Sequence, residues 1–173
     1  MSSSTDHHLK LMDILPALIW GSGMDARCNY FNRSWLDFTG RRLEEELGDG
    51  WTKGIHPGDF DDCLSTYLDH FRARKPFEME YRLRRADGSY RWIAGEARPV
   101  FAGGETFEGY IGYCHDITEH KLLEETLKEN EERFRTLAKI CPIGIFRIDD
   151  AGLCLYVNEQ WSRITGRPPE DAL

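Results

Sequence analysis

The sequence predicts an α+β fold in which an antiparallel sheet of five strands packs against short helices. Three observations carry this prediction. Apolar residues recur at 3-4-3-4 spacing across 59–74, as in an amphipathic helix. They alternate with charged residues across 77–84, as in a strand with one solvated face. Two more strands follow, and glycine turns at Asp87-Gly88 and Gly103-Gly104 separate the three strands as hairpins.

The chain opens with a short helix and a hairpin. The spacing of apolar residues predicts a helix over 6–15, which Pro16 ends. Residues 17–22 and 27–31 then predict two strands joined by a turn at Gly23-Met24-Asp25. The apolar stripe of the helix consists of His8, Leu11, Met12 and Leu15.

Short helices follow the hairpin. Asn32 suits the N-cap of a helix, and Gly40 suits the left-handed position just past its end. Residues 42–48 predict another short helix, and loops surround 51–55. In the strands predicted over 90–101 and 106–117, apolar residues occupy both parities. We therefore expect cover on both faces of the sheet, by the module's own helices on one face and by the N-terminal helix or a partner on the other.

The sequence repeats itself. A shift of 126 residues places 137–173 on 11–47 without a gap, with 13 of 37 pairs identical. The pairs include Pro16/Pro142, Asn32/Asn158, Trp35/Trp161 and Gly40/Gly166. We interpret the chain as one complete module and the first third of a second, cut from a longer protein that holds any output activity.

Composition excludes several classes of protein. The 173 residues carry a net charge of −8, which argues against nucleic acid as the main partner. The longest apolar run, residues 14–20, is far shorter than the roughly 20 residues of a membrane helix. The N-terminus lacks the features of a secretory signal, so we expect a cytoplasmic protein. Five cysteines without a C-x-x-C pair favour free thiols and provide no metal site.

Several motifs together resemble the PAS domain with its C-terminal PAC extension. They are Tyr30-Phe31-Asn32 through Trp35 and Thr39-Gly40, His56-Pro57-Gly58-Asp59, Arg84 through Trp92, and Gly109-Tyr110-Ile111-Gly112 running into Asp116-Ile117-Thr118. The resemblance implies a sensor with a small cavity, whose last strand passes strain to a following helix. It assigns 1–15 to a helical cap, 16–118 to the PAS/PAC sensor, 119–139 to a signalling helix and 137–173 to the start of a second PAS domain.

Candidate pocket residues come from the aromatic content of the module. We expect Trp20, Tyr30, Trp35, Trp51, Met79, Tyr81 and Trp92 to face the cavity. Flavin and haem stay open as cofactors, and packing without a cofactor is favoured. The cysteine of photoactive flavin relatives has no counterpart in 47–60, and Cys63 reads as a core residue. His70 fits a solvated side chain better than a haem ligand, and His56 fits a loop hydrogen bond better than a metal ligand.

Residues 119–139 predict a long exposed helix, because they contain no Gly or Pro and are rich in Glu, Lys, Arg and Leu. A seam at 4-3-4-3 spacing is typical of a coiled coil, although packing within one chain stays an alternative. The seam residues are Leu123, Leu127, Asn130, Phe134 and Leu137. We expect signal transmission to use Asp116, Ile117, Thr118, Leu123, Leu127 and Asn130.

Two functions stay open. The first is a sensory input module that passes a ligand, redox or partner signal to a histidine kinase or cyclic-dinucleotide enzyme in the same polypeptide, with no catalysis in the chain itself. The second is a ligand-free scaffold that dimerises and spaces its neighbours. The expected partners are a second copy of the chain, the output domain and a small-molecule ligand. The sequence does not name the signal or the output, nor does it decide whether the second module exchanges strands between chains.

Overall fold

The structure, a computed structural model, describes residues 10–171, which form two compact units. The first unit extends to residue 121 and the second begins at residue 122. In the first unit the strands are β1 Leu18–Ser22, β2 Cys28–Phe31, β3 Phe77–Arg84, β4 Tyr90–Ala102 and β5 Thr106–Asp116. Its helices are α1 Arg33–Thr39, α2 Leu43–Glu46, a 3₁₀ turn Gly50–Gly54 and α3 Phe60–Ala73.

The five strands form one antiparallel sheet in the order β2-β1-β5-β4-β3. The predicted α+β class and five-stranded sheet are confirmed. The sheet has this order because β5, the last strand of the first unit, pairs with both β1 and β4 and so joins the hairpin β1-β2 to the hairpin β3-β4. The inner face of the sheet and the helices enclose one aromatic core.

The helix α4, Thr118–Ile140, follows β5 after one residue, and the predicted helix over 119–139 is confirmed within one residue at each end. The second unit then contains β6 Phe146–Ile148, β7 Cys154–Val157, α5 Glu159–Thr165 and a 3₁₀ turn Pro169–Asp171. Strands β6 and β7 form an antiparallel pair. None of the helices in the described part of the chain has both the length and the apolar composition to span a membrane.

One expectation needs correction. Of the helix predicted over 6–15, residues 10–13 are helical and the chain bends from 15 onward, because the residue before Pro16 is disfavoured in the α conformation. His8 lies outside the described residues.

The outer face of the sheet, where the N-terminal helix or a partner is expected, has exposed apolar side chains: Ile111 is 39% and Tyr113 43% exposed.

Candidate functional site

An apolar chamber lies between the inner face of the sheet and the helices of the first unit. Six aromatic side chains and two sulfur-containing ones line it, and its free volume is about 10 Å³. That volume is at the lower limit of what one water molecule needs. The lining side chains therefore fill the chamber themselves. They are Trp20, Cys28, Phe31, Trp35, Trp51, Tyr67, Met79 and Tyr81.

Tyr67 of α3 is at the centre of this packing. Its ring meets Trp20 edge-on at 5.7 Å and Trp51 edge-on at 5.8 Å between centroids. Its hydroxyl donates a 2.9 Å hydrogen bond to the Ala26 carbonyl oxygen. Burial raises the pKa of Tyr67 well above its ordinary range. Sequence reasoning passes over Tyr67, although the apolar stripe of 59–74 contains it.

Five of the seven residues expected at the cavity line it, and two do not. Trp20, Trp35, Trp51, Met79 and Tyr81 surround the chamber. Tyr30 is absent from the lining because Phe31, the next residue on β2, takes the inward position against Trp35 at 4.9 Å. Trp92 is on the outer face of the sheet, because its neighbour Ile93 takes the buried inward position. The expectation that Tyr30 and Trp92 face the cavity is wrong.

The chamber with its side chains placed in this way does not fit flavin or haem. Pockets for cofactors of that size hold several hundred Å³, against about 10 Å³ here. No histidine is among the eight lining residues. His70, expected in solvent, is half-buried: its Nδ1 lies 2.9 Å from the Thr66 carbonyl oxygen and its ring packs against Phe77.

Three thiols belong to this core. Cys28, Cys63 and Cys114 are buried and free. Burial raises the pKa of Cys63 to about 12 and that of Cys114 to about 12. The Cys63 Sγ lies 3.7 Å from the Met79 Sδ. Because the thiolate is the nucleophile, these thiols are unreactive at neutral pH in this packing.

The first unit also buries a carboxyl group, that of Glu46. Glu46 is 1% exposed, and neither of its carboxyl oxygens has a hydrogen-bond partner. The Arg41 guanidinium lies 3.6 Å away. Burial raises the pKa of Glu46, and it outweighs the opposing effects of Arg41 and of the nearby Thr39 and Trp35. The sequence gives no sign of this burial, because Glu46 ends a run of three glutamates.

Glu46→Gln is expected to stabilise the fold at neutral pH by about 1 kcal/mol, because it removes a buried negative charge whose desolvation outweighs its ion pair with Arg41. Arg41 keeps its hydrogen bonds to the carbonyl oxygens of Gly50 and Glu45. The Glu46 pKa is raised on folding, so the protonated form stabilises the fold and this stability is lost as pH rises through the folded value. Urea unfolding at several pH values should show the gap between variant and wild type widening from about pH 4.5 upward. If the difference in unfolding free energy between variant and wild type stays constant with pH, the titration of Glu46 does not cause it.

The His56-Pro57-Gly58-Asp59 loop is fixed by side-chain hydrogen bonds. The Gly58 backbone N–H donates to the His56 Nδ1 at 3.0 Å. The Asp59 carboxylate accepts from the Arg82 backbone N–H at 2.9 Å, and from its Nε and Nη2 at 2.9 and 2.6 Å. These bonds lower the Asp59 pKa. The loop is thereby attached to β3, and His56 fixes the loop as expected.

Arg82 connects this loop to the start of α4. Its guanidinium carbon lies 5.3 Å from the centre of the Trp92 ring, and the Lys121 ammonium nitrogen lies 5.6 Å from the same ring. Lys121 also pairs with Glu80 at 2.6 Å. Trp92 therefore makes cation–π contacts with Arg82 from the sheet and with Lys121 from the first turn of α4.

Hydrogen bonds join the last strand to α4 without a break. The Ile117 N–H donates to the Trp92 carbonyl oxygen, and the Trp92 N–H donates to the Thr118 Oγ1, both at 2.8 Å. The Thr118 N–H donates to the Asp116 Oδ1 at 2.9 Å. Arg91 pairs with Asp116 at 3.4 Å. A shift of β4 relative to β5 therefore acts directly on the first residue of the helix.

The remaining predicted transmission residues are on α4 itself. Leu123 is 70% and Leu127 71% exposed, and Asn130 is exposed. In the second unit Phe134 packs against Tyr156 at 5.5 Å between ring centroids. The structure thus brings Asp116, Ile117 and Thr118 together with Trp92, whereas residues 10–171 leave Leu123 and Leu127 exposed.

Comparison with known proteins matches this architecture. A sequence model described as "PAS fold" matches residues 29–114, and one described as "PAS domain" matches residues 132–173. The uncharacterized protein y4lL of Sinorhizobium fredii is 36% identical over 66% of the chain. The peroxide stress-activated histidine kinase mak1 of Schizosaccharomyces pombe is 29% identical over 75% of the chain. The chain spans 14% and 8% of the lengths of these two relatives.

A solved structure agrees with the fold. The crystal structure of a PAS domain from Colwellia psychrerythraea superposes with a TM-score of 0.56 at 20% identity, over 67% of this chain and 98% of that one. The chain, with PAS sequence in both units and sensor kinases among its relatives, belongs to the PAS domain family.

Proposed function

We propose that the chain is a cytoplasmic sensory input module whose PAS core biases the junction at 116–118 and, through it, helix α4. The output is a histidine kinase or a cyclic-dinucleotide enzyme in the same polypeptide, and these residues themselves perform no catalysis. The observation that carries the proposal is the hydrogen bonding of Trp92 to both Ile117 and Thr118. One of these bonds joins backbone atoms of Trp92 and Ile117, and the other joins the Trp92 backbone N–H to the Thr118 hydroxyl, so the sheet and the first residue of the helix are held together.

The signal acts on the chamber. A ligand, a redox change or a partner shifts a two-state equilibrium only by its difference in affinity for the two states. A filled chamber is one such state, and a chamber opened around a small apolar molecule is the other. The difference reaches the junction because Tyr81 on β3 and Ile93 on β4 are paired, and Ile93 is also paired with Asp116 on β5.

Thr118→Val is expected to uncouple the helix from the core, because it removes the hydroxyl that accepts from Trp92 while keeping the shape of the side chain. Trp51→Phe, which frees volume in the chamber, should change amide hydrogen exchange across 122–140 in the parent chain. In the Thr118→Val background that change should shrink at least about tenfold, as expected for the loss of one buried hydrogen bond.

Thr126→Val is the matched control, because Thr126 donates only to the Leu122 carbonyl oxygen within α4. It should leave the response to Trp51→Phe intact. An equal response in the Thr118→Val and Thr126→Val backgrounds would refute coupling through the junction.

The alternative function is a ligand-free scaffold that dimerises through α4. Two observations favour it: the chamber is filled by its own side chains, and Leu123 and Leu127 are exposed at seam spacing.

Leu127→Ser should weaken a coiled-coil dimer by at least about tenfold, measured by sedimentation equilibrium. Lys128→Ser is the control outside the seam. A monomeric parent chain would refute the scaffold.

The two functions differ in what the chamber binds. An absorption spectrum of the freshly purified chain detects flavin or haem, and a thermal-shift screen with small apolar molecules tests the chamber directly. A stabilising ligand whose effect is lost in a variant of the chamber supports the sensor. A dimer without any stabilising ligand supports the scaffold.

A further inference from the structure

The two units contain one hydrogen-bond arrangement twice, 126 residues apart. The Asn32 Oδ1 accepts from the backbone N–H groups of Ile19 and Trp35, at 2.9 and 3.1 Å. Its Nδ2 donates to the carbonyl oxygens of Met12 and Ala17, each at 2.9 Å. One side chain thus connects the helical turn at 10–13, strand β1 and helix α1.

Asn158 makes the same four bonds in the second unit. Its Oδ1 accepts from the backbone N–H groups of Ile145 and Trp161, at 2.8 and 2.9 Å. Its Nδ2 donates to the carbonyl oxygens of Ala138 and Ile143, at 2.9 and 3.0 Å. Asn158 is 3% exposed and Ala138 is 1% exposed. The partner that matters here is Ala138, because it belongs to the last turn of α4.

The sequence explains why Ala138 needs this partner. A helical carbonyl normally accepts from the N–H four residues later. Four residues after Ala138 stands Pro142, and four residues after Met12 stands Pro16, and proline has no N–H. The proline therefore ends the helix and removes the usual donor to the carbonyl four residues before it, and the asparagine sixteen residues after the proline donates to that carbonyl instead. The Met12 carbonyl also accepts from the Leu15 N–H at 3.4 Å.

We infer that Asn158 is a docking site for the C-terminal end of the preceding helix, and that it fixes the end of α4 to the strands and helix of residues 143–165. The ligand of this site is a helix end with one orphaned carbonyl. A second part of the inference rests on the proposed function: a conformational change at Thr118 passes along α4 and reaches the second module at Asn158.

The two docking sites differ in strength. In the first unit the Asp13 Oδ1 also accepts from the Arg33 N–H at 2.9 Å, and the Ser34 Oγ donates to the Leu15 carbonyl oxygen at 2.6 Å. The positions equivalent to Asp13 and Ser34 are Lys139 and Gln160, which cannot repeat these bonds in the same form. Attachment of α4 therefore depends more on Asn158 than attachment of residues 10–13 depends on Asn32.

Asn158→Asp separates docking from helix capping. The aspartate keeps the oxygen that accepts from Ile145 and Trp161, but it replaces the donor with a second oxygen that faces two carbonyls. Hydrogen exchange followed by mass spectrometry should show residues 134–142 exchanging at least about tenfold faster, with 159–165 unchanged. Unchanged exchange across 134–142 in a folded variant would overturn the docking site.

The matched control is Asn32→Asp. It should raise hydrogen exchange at residues 10–20 and leave exchange at 134–142 at the parental rate. The increase at 10–20 should be smaller than the increase that Asn158→Asp causes at 134–142, because Asp13 and Ser34 still hold the turn. A larger effect at 10–20 than Asn158→Asp has at 134–142 would contradict the stated difference between the two sites.

A second variant covers the case in which Asn158→Asp unfolds residues 143–165. Pro142→Ala gives Ala138 a donor within the helix, so the double variant should recover protection across 134–142. Absence of that recovery would refute the orphaned carbonyl as the reason for docking.

Transmission from Thr118 to the second module can be measured separately from docking. Thr118→Val should alter exchange across 143–157 in the parent chain and have no such effect in the Asn158→Asp background. An equal effect in both backgrounds would refute Asn158 as the route. No effect in either background, with faster exchange at 134–142 in Asn158→Asp, would refute the proposed signalling function and leave the docking site standing.

Discussion

Gly109→Ala is expected to destabilise the chain by roughly 3 kcal/mol or more, the largest effect of any change considered. Gly109 has a φ of 136°, a conformation that L side chains rarely adopt. A Cβ at this position would overlap the Ser22 carbonyl oxygen, which is backbone and cannot rotate away. Backbone strain and overlap therefore add at one residue, in the strand that leads to the junction at 116–118.

Gly104→Ala is the matched control for the conformational part of this cost. Gly104 also has a positive φ, of 86°, but a Cβ there has no heavy atom within 4 Å. We expect a loss of about 1 kcal/mol, measured by urea unfolding with tryptophan fluorescence. Similar losses for both variants would show that the contact with Ser22 contributes nothing.

Asp59→Ala should be the second largest change, costing about 2 kcal/mol at neutral pH. Asp59 is 17% exposed in its side chain and accepts three hydrogen bonds from Arg82. Without them the Arg82 guanidinium loses the contact that holds it over Trp92. Hydrogen exchange should therefore rise both in the loop 56–59 and at the start of α4.

The pH dependence of this loss identifies its cause. The Asp59 pKa is lowered by folding, so its contribution is present above the ordinary Asp value of about 4 and is lost as pH falls through the folded value. The gap between wild type and Asp59→Ala should shrink in acid. Asp37→Ala is the control: Asp37 pairs with Arg33 at 2.8 Å on an exposed surface, where ion pairs contribute little. Equal losses for both aspartates would contradict the argument.

Sequence reasoning predicts the fold well because its signals are local. The alternation of β3, the turn at Asp87-Gly88 and the cap at Asn32 each depend on a few neighbouring residues, and the structure has all three where expected. The sheet order is not local. It follows from β5 pairing with β1, which are separated by most of the module.

The candidate site is only partly predictable. In β4 both Trp92 and Ile93 are apolar, so parity alone does not decide which one faces the core. Tyr67 is placed in the chamber by the packing of α3 on the sheet, which the helical stripe does not specify. Glu46 reads as a solvated residue because its neighbours are glutamates, and only the orientation of the four-residue helix α2 buries it.

The sequence identifies Asn32 as an N-cap and pairs it with Asn158 in the repeat, but it does not predict their docking role. The repeat pairs Pro16 with Pro142 and Asn32 with Asn158, at one constant separation. An N-cap explains the asparagine through its oxygen alone. The second role, through the amide nitrogen, requires the preceding helix to end beside the same side chain, and that proximity comes from tertiary structure.

The filled chamber has a kinetic consequence for any molecule that enters it. With about 10 Å³ free, entry waits for side chains such as Tyr67 or Trp51 to swing aside. The apparent dissociation constant is then the intrinsic one divided by the fraction of time the chamber stands open. The observed rate of capture levels off at the opening rate as ligand concentration increases, and escape is slowed by the same barrier. A ligand that acts by entering this chamber would therefore produce a slow response, and the response would persist after the free ligand is removed.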